Sequence, residues 1–381
     1  MVKRQIKRYD NKRFFRTVWF MMIFLISGLL ARYTLIGLND MLGLHKDVHS
    51  VQVEIPEGAS LKQVAKIFKS NGLITEKQLF KIYAVATKNS KNFLAGSYEL
   101  YTNMDYQALL NHIKNKSNIK DTEVLTFTEG MNILDYAELL SKNHVCSKQE
   151  FLEICNSSEF DGDYNFLASA NQNKNIVYRT EGYLFPDTYK FYRGEKPSSV
   201  VNKMLNNYSK KISQKGAIEK YRSSTINEMI SSSGMSMNQI ICIASLIQAE
   251  AANKADMYKV SSVIHNRLNT IQNGGKNKFN EFAMNYLQID STIYYPYKTK
   301  SSVPKNLAST FKSAYDTYKA PGLPPGPICN PGVDAIDAAL NPAKTDYFYY
   351  CHSASGEAFY AKNSDEHLAN LKKAGLTIKK Q

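Results

Sequence analysis

The period of apolar positions changes several times along the chain. The longest apolar run, Thr17 to Leu38 (TVWFMMIFLISGLLARYTLIGL), carries one charge, Arg32, in 22 residues. That length suits a helix crossing a bilayer, with Arg32 near enough to one end to reach the headgroups. No small-x-small cleavage site follows it, so an uncleaved anchor is expected rather than a removed signal peptide. From Val51 the pattern alternates as in a strand, and Pro56-Glu57-Gly58 makes a turn. Ser60 and Gln63 then form a capping box, Leu61, Val64, Ala65 and Phe68 form a helical stripe, and Asn71-Gly72 ends it. The same pattern returns at Phe127 to Val145: Glu57-Gly58 recurs as Glu129-Gly130, Ala65 as Ala137, Asn71 as Asn143, and Asn132 replaces Ser60 as the cap. Two copies predict a strand–turn–helix unit used twice, not a solenoid.

Further on, Ser157 to Lys174 is polar and Asn-rich and reads as a surface excursion. Pro197 to about Glu228 reads as helical, with Val200, Val201, Met204 and Leu205 on one side. A long helical pattern runs from Met237 to about Leu268, with an interruption near Ala252–Asp256. Asn269 to Asn280 and Pro296 to Ser309 are Lys-, Asn- and Ser-rich loops. A Pro/Gly-rich turn (Gly322 to Gly332), a strand-like segment (Tyr347 to Ser353) and a final helix (Ser364 to Ala374) complete the chain. Its 381 residues suffice for two or three compact domains.

Charge narrows the partners. Of a formal +14, residues 1–16 hold seven Lys or Arg and one acid, which keeps that end cytoplasmic and places everything after about Leu42 beyond the membrane. A basic body suits nucleic acid, anionic lipid or an anionic wall polymer. Neither a zinc finger nor an RNP-like run nor a basic helix supports nucleic acid. The five cysteines are odd in number and form no C-x-x-C pair, which speaks against a disulfide framework or thiolate metal site. Cys242 and Cys351 lie in apolar runs and read as core residues. The seven histidines are scattered, so neither metal nor other cofactor is expected.

No G-x-S-x-G elbow, H-E-x-x-H helix, Walker loop or G-x-G-x-x-G fingerprint is present, which leaves carboxylate chemistry. In IASLIQAEA, Ile240, Ile243, Ala244, Ile247 and Ala251 define a buried stripe, and Glu250 projects from it just before the polar Asn253 and Lys254. A carboxylic acid at the lip of an apolar surface is poorly hydrated and suited to carry a proton as a general acid. On the residues alone, a structural acid bonded to an arginine such as Arg267 stands equally. Three other stretches, EGYLFPDTYKF, LQIDSTIYY and YDTYKAPGLPPGPICNPG, set aromatic faces beside amides, hydroxyls and acids. Five prolines and three glycines fall in the last twelve residues of the third, a rigid segment suited to a ligand wall. They offer Tyr183, Asp187, Gln288, Asp290, Thr292, Tyr295, Tyr318 and Asn330 as candidates for a groove binding sugar rings. The alternative for each is a Tyr- and Pro-rich packing corner.

With these motifs, joined by KVSSVIHNRL and AALNPAKTDYFYY, the chain resembles the endolytic murein transglycosylases of the YceG-like family over nearly everything after the anchor. In that family the run A-S-I-[VI]-E-K-E ends on the catalytic glutamate, a position held here by Glu250, while the earlier glutamate is Gln248. The family's D-P-T appears as Asp290-Ser291-Thr292, its Y-N-T-Y as Tyr315-Asp316-Thr317-Tyr318, and its G-H-x-F as Gly356-Glu357-Ala358-Phe359, with the later His367 kept. The resemblance implies cleavage of the β-1,4 bond from N-acetylmuramic acid to N-acetylglucosamine in nascent peptidoglycan, leaving 1,6-anhydro ends and releasing growing strands. It also implies a LysM-like domain, the cell membrane as setting and a link to penicillin-binding proteins or other wall synthases. The expected architecture is α+β: a basic tail (1–16), a transmembrane helix (17–38), a link (39–50), a small LysM-like α+β module (51–120) and a mixed α+β catalytic domain (121–381) holding the second repeat at 122–145. A non-catalytic wall-binding scaffold that recruits synthases, and a hydrolytic muramidase, are the competing readings.

Overall fold

The computed structural model describes residues 11–44, 46–170, 173–276 and 284–376. The first ten residues of the basic tail, His45 and the end of the Asn269–Asn280 loop lie outside the described residues. The chain divides into two compact units, Met1–Thr122 and Glu123–Gln381.

In the first unit, α1 (Asn11–Met41) contains the stretch Phe14–Met41, long and apolar enough to cross a membrane. Then follow β1 (Ser50–Ile55), α2 (Leu61–Ser70), α3 (Lys77–Ala86), β2 (Gly96–Tyr101) and α4 (Tyr106–His112). β1 and β2 pair antiparallel from Ser50↔Tyr101 to Ile55↔Gly96. The predicted Ser60/Gln63 capping box starts α2 and Asn71 caps its end. Val64, Ala65 and Phe68 on α2 pack with Phe80, Tyr98 and Leu109 in one core. Residues 39–50, expected as a plain link, are tied into this module. Asp40, buried in the last turn of α1, accepts from the Thr75 and Glu76 N–H groups at 2.8 and 2.9 Å. It also accepts from the Tyr106 hydroxyl and pairs with Lys46 at 2.9 Å. Those two N–H groups stand at the head of α3, where helical donors have no partner of their own.

The second unit repeats the order β–α–α–β with β3 (Thr122–Thr126), α5 (Ile133–Lys142), α6 (Lys148–Cys155) and β4 (Thr188–Tyr192). The sequence repeat thus extends beyond one strand and helix. A long insertion, including α7 (Asn165–Ala170), separates α6 from the closing strand. Phe160, Tyr164 and Leu167 of this insertion join the main core, so the Asn-rich excursion is anchored from within by the aromatics it contains.

The expected helix from Pro197 to Glu228 is two: α8 (Pro197–Ser213) and α9 (Ile226–Ser232). Gly216, at φ +70°, turns the chain between them, and a Thr225/Glu228 capping box restarts it. The next pattern also divides, into α10 (Met237–Glu250) and α11 (Lys254–Gln272). Ala251 is extended, and Asn253 caps α11 by accepting from the Asp256 N–H. Beyond them come α12 (Val333–Leu340), a hairpin of β5 (Tyr349–His352) and β6 (Ala358–Ala361), and α13 (Ser364–Lys373). The helix α10 is buried from Ile240 to Ile247 and packs against α11 and α12. Cys242 and Cys351 are buried as expected.

Asn132 reports on the second repeat. Its side chain accepts from the Asp135 N–H at 3.1 Å and donates to the Pro296 carbonyl at 3.0 Å. Asn132→Ala is expected to destabilise this unit by about 1–2 kcal/mol. Urea unfolding of the two proteins measures this, and coincident midpoints would contradict the capping role.

Candidate active site

Glu250 is the last residue of α10, where the buried stripe meets the Ala251 break. Its carboxylate accepts from the Ser291 N–H at 3.3 Å and from the Tyr350 hydroxyl at 3.0 Å. Ser291 belongs to a single 3-10 turn, Asp290–Thr292, and Tyr350 to β5. Burial, and then the Glu250 charge, push the Tyr350 phenol well above its ordinary value, so it remains a donor. Arg267, buried on α11, gives its Nε to the Phe348 carbonyl at 2.7 Å and an Nη to the Leu287 and Gln288 carbonyls. The arginine braces the backbone around the acid, and the hydrogen bonds to Glu250 come from uncharged groups.

Three predicted residues gather near this carboxylate. Asp290 and Gln288 are exposed, Gln288 with φ +53° and its carbonyl on Arg267. Tyr318 donates to Asp290 at 2.5 Å, and both Glu250 and Arg267 act on its phenol through their charge.

The other five are chiefly internal ties. Tyr183 is buried, donates to Asn238 at 3.2 Å and stacks on Phe166. Thr292 is buried, with its hydroxyl on the Ile289 carbonyl at 2.7 Å and its oxygen accepting from the Thr317 N–H at 3.1 Å. Asn330 uses its whole amide inside: its oxygen accepts from the Gly182 and Leu184 N–H groups, and its nitrogen donates to Met131 and Glu181. Asp187 accepts from Asn207 and from the Thr188 N–H, which fixes the start of β4. Tyr295 reaches a groove wall but is 2% exposed, and its hydroxyl donates to Glu181. A segment rich in proline lacks N–H donors, and these side chains supply the missing cross-links.

A groove of about 430 Å³ opens beside the end of α10. Its walls are Thr128 to Asn132 from the second repeat's turn, Gln248 and Ala249, Ser291 to Lys298 in part, and Ile328 with Cys329. Gln248 accepts from the Gly332 N–H at 3.1 Å and holds the Pro/Gly-rich turn against α10. Either a glutamate or a glutamine oxygen serves that purpose, so the change at this position keeps the contact. Glu357 is exposed at the β5–β6 turn, whereas His367 stacks on Tyr349 with ring centres 5.0 Å apart. Burial, and then the Arg267 charge, lower the His367 pKa.

Sequence reasoning missed three acidic or hydroxyl groups. Tyr350 is one hundred residues from Glu250. Glu129, on the groove wall beside Gly332, was visible only as a repeat position; burial and the nearby Asp334 raise its pKa. Glu181, the first residue of EGYLFPDTY, is 1% exposed and accepts from the Ile133 N–H at 3.1 Å, Tyr295 at 2.9 Å and Asn330 at 3.0 Å. It therefore knots together three walls of the groove from behind. Gly182 beside it, at φ +86°, leaves no space for a side chain between Pro327 and Ile241.

Residues 53–373, which run from within β1 through both β–α–α–β units and hold Glu250, match the YceG-like family. The chain belongs to the YceG-like family. It is 32% identical over 325 residues to the endolytic murein transglycosylase of Bacillus subtilis, covering 84% of this chain and 83% of that protein. It is 27% identical over 345 residues to the protein of the same description from Streptococcus pneumoniae, of which it spans 58%. A crystal structure of a YceG-like protein from Listeria monocytogenes is 26% identical, covers 85% of this chain and aligns with a TM-score of 0.49.

Burial pushes the Glu181 carboxyl up to about 8 from 4.5, against the pull of its donors. The folded state therefore holds this proton more tightly than the unfolded chain. Stability from this group is full below about 4.5 and is lost as pH rises through about 8. Urea midpoints measured between about pH 5 and pH 9 should fall in the wild type and fall less in Glu181→Gln. Identical slopes would contradict the linkage.

Proposed function

We propose that this protein is a membrane-anchored lytic transglycosylase that cleaves the β-1,4 bond between N-acetylmuramic acid and N-acetylglucosamine in peptidoglycan. The observation that carries the reading is a carboxyl group at the end of a buried helix, beside a groove and hydrogen-bonded, among the described residues, by a backbone N–H and a tyrosine. Membership of a family whose named relatives are endolytic murein transglycosylases supports it.

In the reaction, Glu250 gives its proton to the glycosidic oxygen as the C1–O bond breaks. The muramoyl C6 hydroxyl then attacks C1 and releases its proton to the same carboxylate. One bond to C1 is exchanged for another, a 1,6-anhydro end forms, and the enzyme returns to its starting state. Glycosidases that use water or a covalent intermediate employ two carboxylates. Here the nucleophile is part of the substrate, and its proximity does the work of the second group. Asp290, Gln288 and Tyr318 lie where sugar hydroxyls or acetamido groups approach Glu250. Tyr350 aims the acid.

The helix α1 supports an anchor with the N-terminus in the cytoplasm and the remainder outside. The β–α–α–β order of residues 50–101 supports the LysM-like reading and a hold on wall glycan. Wall synthases, including penicillin-binding proteins, are the proposed partners, since strand release acts on their product.

Glu250→Gln keeps one oxygen to accept from the Ser291 N–H, lets its NH2 donate to the Tyr350 oxygen instead, and removes the acidic proton. Cleavage of isolated glycan strands by this variant is expected to fall at least about 10²-fold, with an unchanged circular dichroism spectrum. Full cleavage by a folded variant would refute the role of Glu250, whereas strands left uncleaved by the wild type would favour the scaffold reading.

A further inference from the structure

A second cavity adjoins the groove through the same short segment. Its volume is about 230 Å³, and Lys300, Lys312 and Lys319 stand on its walls. Its apolar lining includes Val303, Ala308 and Phe311. Residues 296–319 carry five lysines and one acid, Asp316. Asp316 is buried and pairs with Lys319 at 2.6 Å. Among the described residues, Lys300 and Lys312 have no ion pair, so the pocket keeps two uncompensated positive charges beside apolar surface.

The connection to the groove is direct. Phe311 packs edge-on against Tyr297 at 5.4 Å, and Tyr297 lines the groove on its other side. Ser313 donates to the Tyr295 carbonyl at 2.9 Å. Ile293 of the pocket follows the turn whose Ser291 N–H holds Glu250. A polymer lying in the groove would therefore present its side branches to the pocket.

Two ammonium groups over aliphatic and aromatic walls suit a ligand with a carboxylate and short apolar side chains. A polar sugar ring would leave Val303, Ala308 and Phe311 unmatched. We propose that this cavity is a subsite for the stem peptide of peptidoglycan, binding a peptide carboxylate through Lys300 and Lys312. It rests on the lytic transglycosylase reading and adds a substrate requirement to it: the enzyme senses peptide as well as sugar.

The test uses the full chain in detergent micelles and three strand preparations: stem-bearing, stripped of stems by an amidase, and stripped but ending in a lipid pyrophosphate. The wild type is expected to show a KM about threefold to tenfold lower for stem-bearing than for stripped strands, as two charge pairs formed by the exposed Lys300 and Lys312 imply. In the Lys300→Gln/Lys312→Gln variant, the KM for stem-bearing strands rises to the wild-type value for stripped ones. Equal wild-type KM values, or a double variant that keeps the difference, would overturn the subsite. A lysine-dependent gain that follows the pyrophosphate instead of the stems would overturn its assignment to carboxylate. Wild-type cleavage of stripped strands preserves the transglycosylase reading in each of these cases, whereas cleavage of no strand at all removes that reading and the subsite together.

Discussion

A carboxylate at the C-terminal end of a helix meets the negative end of the helix dipole, and the rest of this structure is arranged around that unfavourable position. Glu250 closes α10 after eight consecutive buried residues, so the helix cannot turn the acid away without exposing its apolar stripe. Its two donors, the Ser291 N–H and the Tyr350 hydroxyl, offset part of the repulsion without supplying a cation. The nearby cation, Arg267, gives its hydrogen bonds to the carbonyls of Phe348, Leu287 and Gln288.

Holding this site open requires rigidity behind it. Glu181 and Asn330 lie within the protein and receive or donate bonds from the start of α5, from Tyr295 and from the backbone of the EGYLFPDTY segment. The second β–α–α–β unit contributes the groove's turn through Thr128 to Asn132. A structural repeat has thus been put to use: its turn forms one wall, and the insertion before its last strand carries the acid that ties the walls together.

Much of this was legible because it depends on local rules. The capping boxes at Ser60 and Asn132, the break after Glu250 and the helical stripe leading to it are all set by residues within a few positions of one another. The candidate groove was less legible. Tyr183, Thr292 and Asn330 have the amides, hydroxyls and rings that sugar binding uses, but a proline-rich wall needs the same groups for its own cross-links. Sequence alone does not separate the two uses, since only the direction of the side chain distinguishes them. Tyr350 escaped for a different reason: its partnership with Glu250 joins two elements distant in the chain. Glu181 was hidden by composition, as an acid at the head of an aromatic run reads as exposed until its donors are seen.

The central claim is that the attacking oxygen belongs to the substrate, so that one acid suffices. Digestion of glycan strands in ¹⁸O-labelled water, followed by mass spectrometry of the new chain ends, measures this directly. The account predicts anhydromuramoyl ends free of label. Reducing muramic acid ends carrying ¹⁸O would show that water is the nucleophile and would contradict it.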